Sequence, residues 1–163
     1  MIARAETPIR VRGSLEFLEC LWRTSHALER RSRRMEKAIG VTAPQRLVLR
    51  FLGRFPGVTA GHLARALHID PGTLSASVRR LEARGLVERR RDPIDTRRVT
   101  LGLTREGRAL DVPRPGTVEA AADALLADAS PRDLAATVRI LDHFAELLLA
   151  DDSGADLPHR ICG

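Results

Sequence analysis

Apolar residues along most of this chain fall three and four apart, the period of helices that bury one face. Leu15, Leu18, Leu21, Trp22 and Leu28 predict a first helix that starts with Ser14 as N-cap, runs to about Ile39 and is closed by Gly40. Leu47, Val48, Phe51 and Leu52 predict a second. It opens after Thr42 with Pro44 just inside its start, where a missing N–H costs nothing, and Gly53 to Pro56-Gly57 stops it. A short third helix over Thr59–Leu67 turns Leu63, Ala64 and Leu67 inward. After the turn His68-Ile69-Asp70, a fourth spans Pro71–Arg84. Asp70 is its N-cap, Leu74, Val78 and Leu81 are its buried stripe, and Gly85 ends it.

Past Gly85 the hydrophobic period shortens to that of a strand. Leu86 and Val87 begin one strand, and Val99, Leu101 and Leu103 alternate on the return. Asp92-Pro93-Ile94-Asp95 between them has turn chemistry. Thr104 caps another helix, which meets Val112-Pro113-Arg114-Pro115-Gly116. Two prolines and a glycine cannot sit in an unbroken helix, so a break is predicted near 112–116, with helix resuming after Thr117. Ser130-Pro131 starts a last helix whose Leu134, Val138, Leu141, Ala145 and Leu148 form a stripe. The fold class is mainly α with a small β-hairpin wing, and residues 58–104 read as a winged helix-turn-helix. The organisation is an N-terminal arm (1–13), a helix (14–40), the winged lobe (41–104), broken C-terminal helices (105–150) and a tail (151–163).

Composition refines this picture in two ways. Hydrophobic residues make up 44% but aromatic ones only 3%, with no Tyr, so Leu, Val and Ala must fill the core. The net charge of +6 is unevenly spread: residues 1–108 carry 23 Lys and Arg against 11 Asp and Glu, and residues 109–163 carry 4 against 10. Frequent arginine (26 of the 27 basic residues) could follow from genome composition, but that does not explain the segregation. A basic lobe joined to an acidic one fits a polyanion-binding half and a half with another task.

The basic residues sit where a duplex would meet them. The face of the fourth helix opposite its stripe presents Pro71, Gly72, Thr73, Ser75, Ala76, Arg79 and Arg80, small polar groups plus arginine that let a helix enter a groove closely. The hairpin carries Arg89, Arg90, Arg91, Arg97 and Arg98 around Asp95. Double-stranded DNA is the expected partner. Arg30, Arg31, Arg33 and Arg34 read as a solvated face of the first helix.

Other chemistry finds little support. There is no G-x-S-x-G, phosphate loop or paired carboxylates, so no enzyme is expected. Cys20 and Cys162 are too far apart for a metal or disulfide framework, and the five histidines form no ligand cluster, so neither metal nor cofactor is expected. No apolar run approaches a membrane span, and no secretory pattern precedes the first helix; a cytoplasmic protein without membrane contact is expected.

The pattern Thr59…Leu63-Ala64…Leu67, Thr73-Leu74-Ser75…Leu81-Glu82…Gly85-Leu86-Val87-Glu88-Arg89, then Asp95-Thr96-Arg97-Arg98…Leu103-Thr104…Gly107 resembles the MarR family of bacterial transcription regulators over residues 14–150. The resemblance implies a homodimer whose N- and C-terminal helices form a dimerisation lobe. It implies that residues 71–80 are the recognition helix, that Arg97 is the wing-tip residue entering the minor groove, and that Asp95 holds the wing's arginines. A guanidinium suits that narrow, negative groove. It also implies a small-molecule effector bound between the lobes near the first helix, and a ligand-responsive repressor on a pseudo-palindromic operator. Two departures stand out: Ala76 replaces an arginine frequent in the family, and the Pro113/Pro115 break interrupts a helix that is usually continuous.

Trp22 and His26, four apart on one helix face, suit either core or dimer packing or that effector pocket; packing is the plainer expectation. Cys20 is expected to be a buried structural thiol; the alternative is the family's redox-sensing branch, which uses tyrosines this chain lacks. The rival readings of the whole chain are a low-specificity architectural DNA-binding protein, a winged helix used for protein contacts, and a thiol sensor using Cys20.

Overall fold

A computed structural model describes residues 13–91, 95 and 97–150. Among them the order is α1 (Ser14–Ile39), α2 (Ala43–Arg54), α3 (Ala60–Ala66), α4 (Pro71–Ala83), β1 (Val87–Arg91), β2 (Val99–Leu103), α5 (Arg105–Leu110), α6 (Val118–Asp128) and α7 (Pro131–Ala150). The fold is mainly α with one two-stranded antiparallel hairpin, as the sequence pattern predicts. The chain forms two compact units that divide within α6, after Ala120.

Local capping starts most of these helices. Thr42 and Gln45 form a reciprocal capping box at α2: the Thr42 hydroxyl accepts the Gln45 N–H (3.4 Å), and Gln45 Oε1 accepts the Thr42 N–H (3.1 Å). The Asp70 carboxylate accepts the N–H groups of Gly72 (2.8 Å) and Thr73 (3.0 Å) at α4. At α7 the Ser130 hydroxyl accepts the Asp133 N–H and donates to its carboxylate. The start of α1 differs from expectation. Gly13, at positive φ, takes the cap position without a side-chain hydrogen bond, and Ser14 is already helical. At its other end Gly40 takes the predicted left-handed conformation (φ 73°).

The core of the first unit is the aliphatic one the composition requires. Val41, Val48, Leu49 and Leu52 meet Leu63, Leu74, Val78, Leu81, Leu86, Val87, Leu101 and Leu103, all buried. Each such Leu contributes roughly 1.5–3 kcal/mol relative to exposure. Leu47 lies outside this core. It is exposed, and Leu49 takes its place, because Val48, Leu49 and Leu52 are the residues that face α4 and the hairpin. Val99 is likewise exposed, at the far end of the wing register that pairs Val87 with Leu103 and Arg91 with Val99. The Leu101 N–H donates to the Val58 carbonyl (2.8 Å), anchoring the return strand to the segment before α3.

The break predicted around 112–116 is present: α5 ends at Leu110 and α6 begins at Val118. One residue holds it. Arg46 on α2 is 1% exposed, and its guanidinium donates to the carbonyls of Leu110 and Val112 and to the Glu119 carboxylate. Arg50, one turn on, pairs with Asp111 (2.9 Å).

In contrast, Leu15, Trp22 and Leu28 of α1 are exposed. So are Leu134, Val138, Leu141 and Leu148 of α7, in the other unit. Leu18 and Leu21, in the same α1 stripe, are half-buried. The N-terminal arm and the tail, including Cys162 and His159, lie outside the described residues, as do Asp92, Pro93, Ile94 and Thr96 of the wing turn.

Candidate nucleic-acid interface

The candidate surface begins with the turn between α3 and α4. Thr59 accepts the His62 N–H at the start of α3. His68 then reverses the chain with φ 51°, a conformation rare outside glycine, and the Asp70 cap relaunches it as α4. Leu74, Val78 and Leu81 point into the core, which turns Pro71, Gly72, Thr73, Arg79 and Arg80 to solvent. Ser75 and Ala76 are half-buried on the flank of the helix. The candidate face of α4 is therefore a small polar N-terminal turn followed by two free-standing arginines.

The wing is fixed to this helix by a short-range lock. Thr104, directly after β2, donates its hydroxyl proton to the Gly85 carbonyl (2.6 Å) and its N–H to the Leu86 carbonyl (3.2 Å). The same hydroxyl accepts the Gly107 N–H (3.0 Å), capping α5. Gly107 must be glycine for a spatial reason: a Cβ there would stand 2.0 Å from the Leu86 carbonyl oxygen. The Leu-Thr-x-x-Gly run is thus a clasp that joins the end of the hairpin to the end of α4. A second tie runs between side chains, with Arg89 Nε on β1 pairing with the Glu82 carboxylate of α4 (2.9 Å).

Arg91, Arg97 and Arg98 are exposed, as is Asp95. The Asp95 carboxylate accepts the Arg97 backbone N–H (3.1 Å), and its carbonyl accepts the Arg98 N–H (2.9 Å). Asp95 therefore shapes the backbone that presents both arginines. Arg98 reaches back over a groove lined by Phe51, Phe55 and His62. Sequence reasoning missed Glu82 and Gly107 as positioning residues. The signals were there: a carboxylate seven residues before a basic strand position, and a glycine three after the capping Thr104.

Three candidates on α1 lie apart from this surface. Cys20 is exposed, contrary to the buried thiol expected: its side chain faces away from the half-buried Leu18 and Leu21. Trp22 (70% exposed) and His26 are also exposed. Among the described residues no group of three potential metal ligands occurs, and no helix is long and apolar enough to cross a membrane.

The sequence model of the MarR family matches residues 39–98, the span from the end of α1 to the residue before β2. The organic hydroperoxide resistance transcriptional regulator of Bacillus subtilis (strain 168) is 30% identical over 115 residues, which is 68% of this chain and 76% of that protein. The chain belongs to the MarR family. As a member it is a DNA-binding transcriptional regulator; the family model covers α2, α3, α4 and β1, whereas β2 and the Thr104–Gly107 clasp lie beyond its end. Two solved structures share the architecture. The PcaV transcriptional regulator of Streptomyces coelicolor is 26% identical with a TM-score of 0.64, over 85% of this chain and 98% of PcaV. The MepR–DNA complex of S. aureus has the same fold at 24% identity, TM-score 0.66, over 84% of this chain and 99% of MepR.

Proposed function

We propose that this MarR-family protein is a homodimeric, sequence-specific repressor in the cytoplasm, released from a pseudo-palindromic operator by a small-molecule effector. The observation that carries the DNA half is the coupling of α4 to the wing through Thr104 and the Glu82–Arg89 pair. A groove-reading helix and a basic hairpin joined this way approach a duplex as one body. Pro71, Gly72, Thr73, Ser75 and Arg79 would meet major-groove edges, while Arg80, Arg89 and Arg91 supply phosphate contacts and Arg97 and Arg98 the minor groove. Ala76 offers only a methyl group, so base readout falls more heavily on Arg79.

The exposed apolar side chains of α1 and of α7 support a dimer built from residues 14–40 and 105–150. Exposed Leu and Trp side chains in such number are costly unless a second copy covers them. Twofold symmetry then sets two half-sites about one helical turn, ~10 bp, apart. The neighbours support an effector, since PcaV is described in complex with its natural ligand. Selection of bound duplexes from a random pool, with sedimentation of the free protein, tests the reading. A recovered inverted repeat and a dimer at micromolar concentration are expected. Equal affinity for selected and random duplexes would leave the architectural alternative, and a monomer would remove the dimer.

Thiol sensing is the second reading. It rests on the exposure of Cys20 and on the relative named for organic hydroperoxide resistance. Peroxide should release DNA from the wild-type protein and not from Cys20→Ser; an unchanged response in the variant removes this reading.

A further inference from the structure

The apolar side chains that α2 leaves outside the core are not scattered. Leu47, Phe51 and the C-cap residue Phe55 recur every fourth position and share one face of the helix. Leu47 and Phe55 are exposed, and Phe51 is half-buried against the core. The rings of Phe51 and Phe55 touch, with centroids 4.9 Å apart. The chain has only four Phe, so half of them meet at this one place. They line an open groove of about 390 Å³ that continues along Pro56, Gly57 and Val58 and is bordered by His62 and Ala66 of α3 and by Arg98. All of these residues lie outside the stretches 14–40 and 105–150 assigned to the dimer.

The rim of the groove carries one sign of charge. From Lys37 to Ile69 the chain has no Asp or Glu. Arg54 follows Phe51 by three positions on α2, and Arg65 follows His62 by three on α3, so each sits beside the groove. Both are exposed, as is Arg98. The carboxylates of this lobe are spent elsewhere: Glu119 on Arg46, Asp111 on Arg50 and Glu82 on Arg89. Arg54, Arg65 and Arg98 have no carboxylate partner among the described residues.

An apolar strip framed by cations narrows the choice of occupant. A phosphate backbone would use the guanidinium groups but has nothing to bury against two phenyl rings. A second copy of this chain, placed face to face, would set the same cations against each other. We propose that this groove docks an acidic, amphipathic helix of a partner protein. Apolar side chains three and four apart on that helix lie against Phe51 and Phe55, and carboxylates on its flanks pair with Arg54, Arg65 and Arg98. Aromatic rings and arginines are the side chains that carry most of the energy at such contacts. A groove of this size makes a weak, readily exchanged complex.

Fluorescence anisotropy of a labelled synthetic peptide, titrated with the full chain at constant ionic strength, tests this without DNA. The peptide spans about four helical turns, with Leu and Trp along one face and Glu on both flanks. It should bind in the micromolar range. A peptide of the same composition in scrambled order, and one with Lys in place of Glu, should each bind about tenfold more weakly or worse. Phe55→Ser and Arg65→Glu should each weaken the acidic peptide about tenfold or more. Arg79→Ala removes an equally exposed arginine on the α4 face and should leave peptide binding unchanged. Phe55→Ser should also keep the duplex affinity and the sedimentation of the wild type. No binding, equal binding of the scrambled peptide, or undiminished binding in both Phe55→Ser and Arg65→Glu would each overturn the proposal. So would a matching loss of duplex affinity in Phe55→Ser, which would give the strip to DNA, or a change in its sedimentation, which would give it to a second copy.

Discussion

Replacing Gly107 by Ala tests the clasp between α4 and the wing. On helix propensity alone the change should stabilise α5 by about 1 kcal/mol. The structure reverses that sign. The new Cβ would lie 2.0 Å from the Leu86 oxygen and 3.0 Å from its carbonyl carbon, whereas ordinary contacts begin at 3.4 Å. Both atoms belong to backbone, so relief requires α5 and the end of the hairpin to part by well over an ångström. The Thr104 N–H bond to the Leu86 carbonyl, already 3.2 Å long, and the Thr104 hydroxyl bond to Gly85 would then open. Two lost hydrogen bonds, with buried Leu86 backbone left partly unsatisfied, cost about 3–4 kcal/mol. Less the gain in propensity, the net loss is about 2–3 kcal/mol. Urea unfolding at matched m-values measures it, and duplex binding by the folded variant should also weaken because the wing is no longer registered to α4. A variant as stable as the wild type, or more so, with unchanged DNA affinity would refute the clasp.

Asp70→Ala removes the acceptor for two N–H groups at the start of α4; a loss of about 1 kcal/mol in urea unfolding is expected, with weaker DNA binding from a frayed first turn. Arg46→Met strips the strut of the break and leaves two carbonyls and the Glu119 carboxylate without their partner; a loss of about 3 kcal/mol or more is expected, and a loss under about 1 kcal/mol would show the strut to be dispensable. Arg97→Ala should weaken binding to all duplexes and lower the salt slope by about one if the guanidinium meets a phosphate; unchanged affinity would remove Arg97 from the interface. Arg79→Ala should instead change which sequence a random-pool selection recovers.

The legible part of this fold was the part encoded within a turn of chain. The caps at Thr42, Asp70 and Ser130, the stops at Gly40 and Gly85, the stripe Leu74–Val78–Leu81 and the Pro113–Gly116 break all act over a few residues, and each stands where the pattern places it. The α4 face and the wing were readable for the same reason: once the stripe is known, the opposite side follows from helical geometry.

Errors arose where burial depends on partners distant in sequence. Leu47 and Leu49 are both apolar and adjacent, and the packing of α4 and the hairpin alone selects Leu49. With 26 of 27 basic residues being Arg, composition does not distinguish the buried strut Arg46 from the exposed Arg79. Arg46 is singled out by carbonyls 64 and 66 residues away, and Gly107 by a carbonyl on the far side of the hairpin. The gathering of Phe51, Phe55, His62 and Arg98 along one groove likewise needs the return strand to fold back beside α2 and α3. Sequence by itself determined which segments are helix or wing and which faces carry charge, because those are properties of local backbone and side-chain period. Only the tertiary structure decided which arginines are buried, which glycine is obligatory and where charge converges, because these depend on long-range contacts that no local pattern encodes.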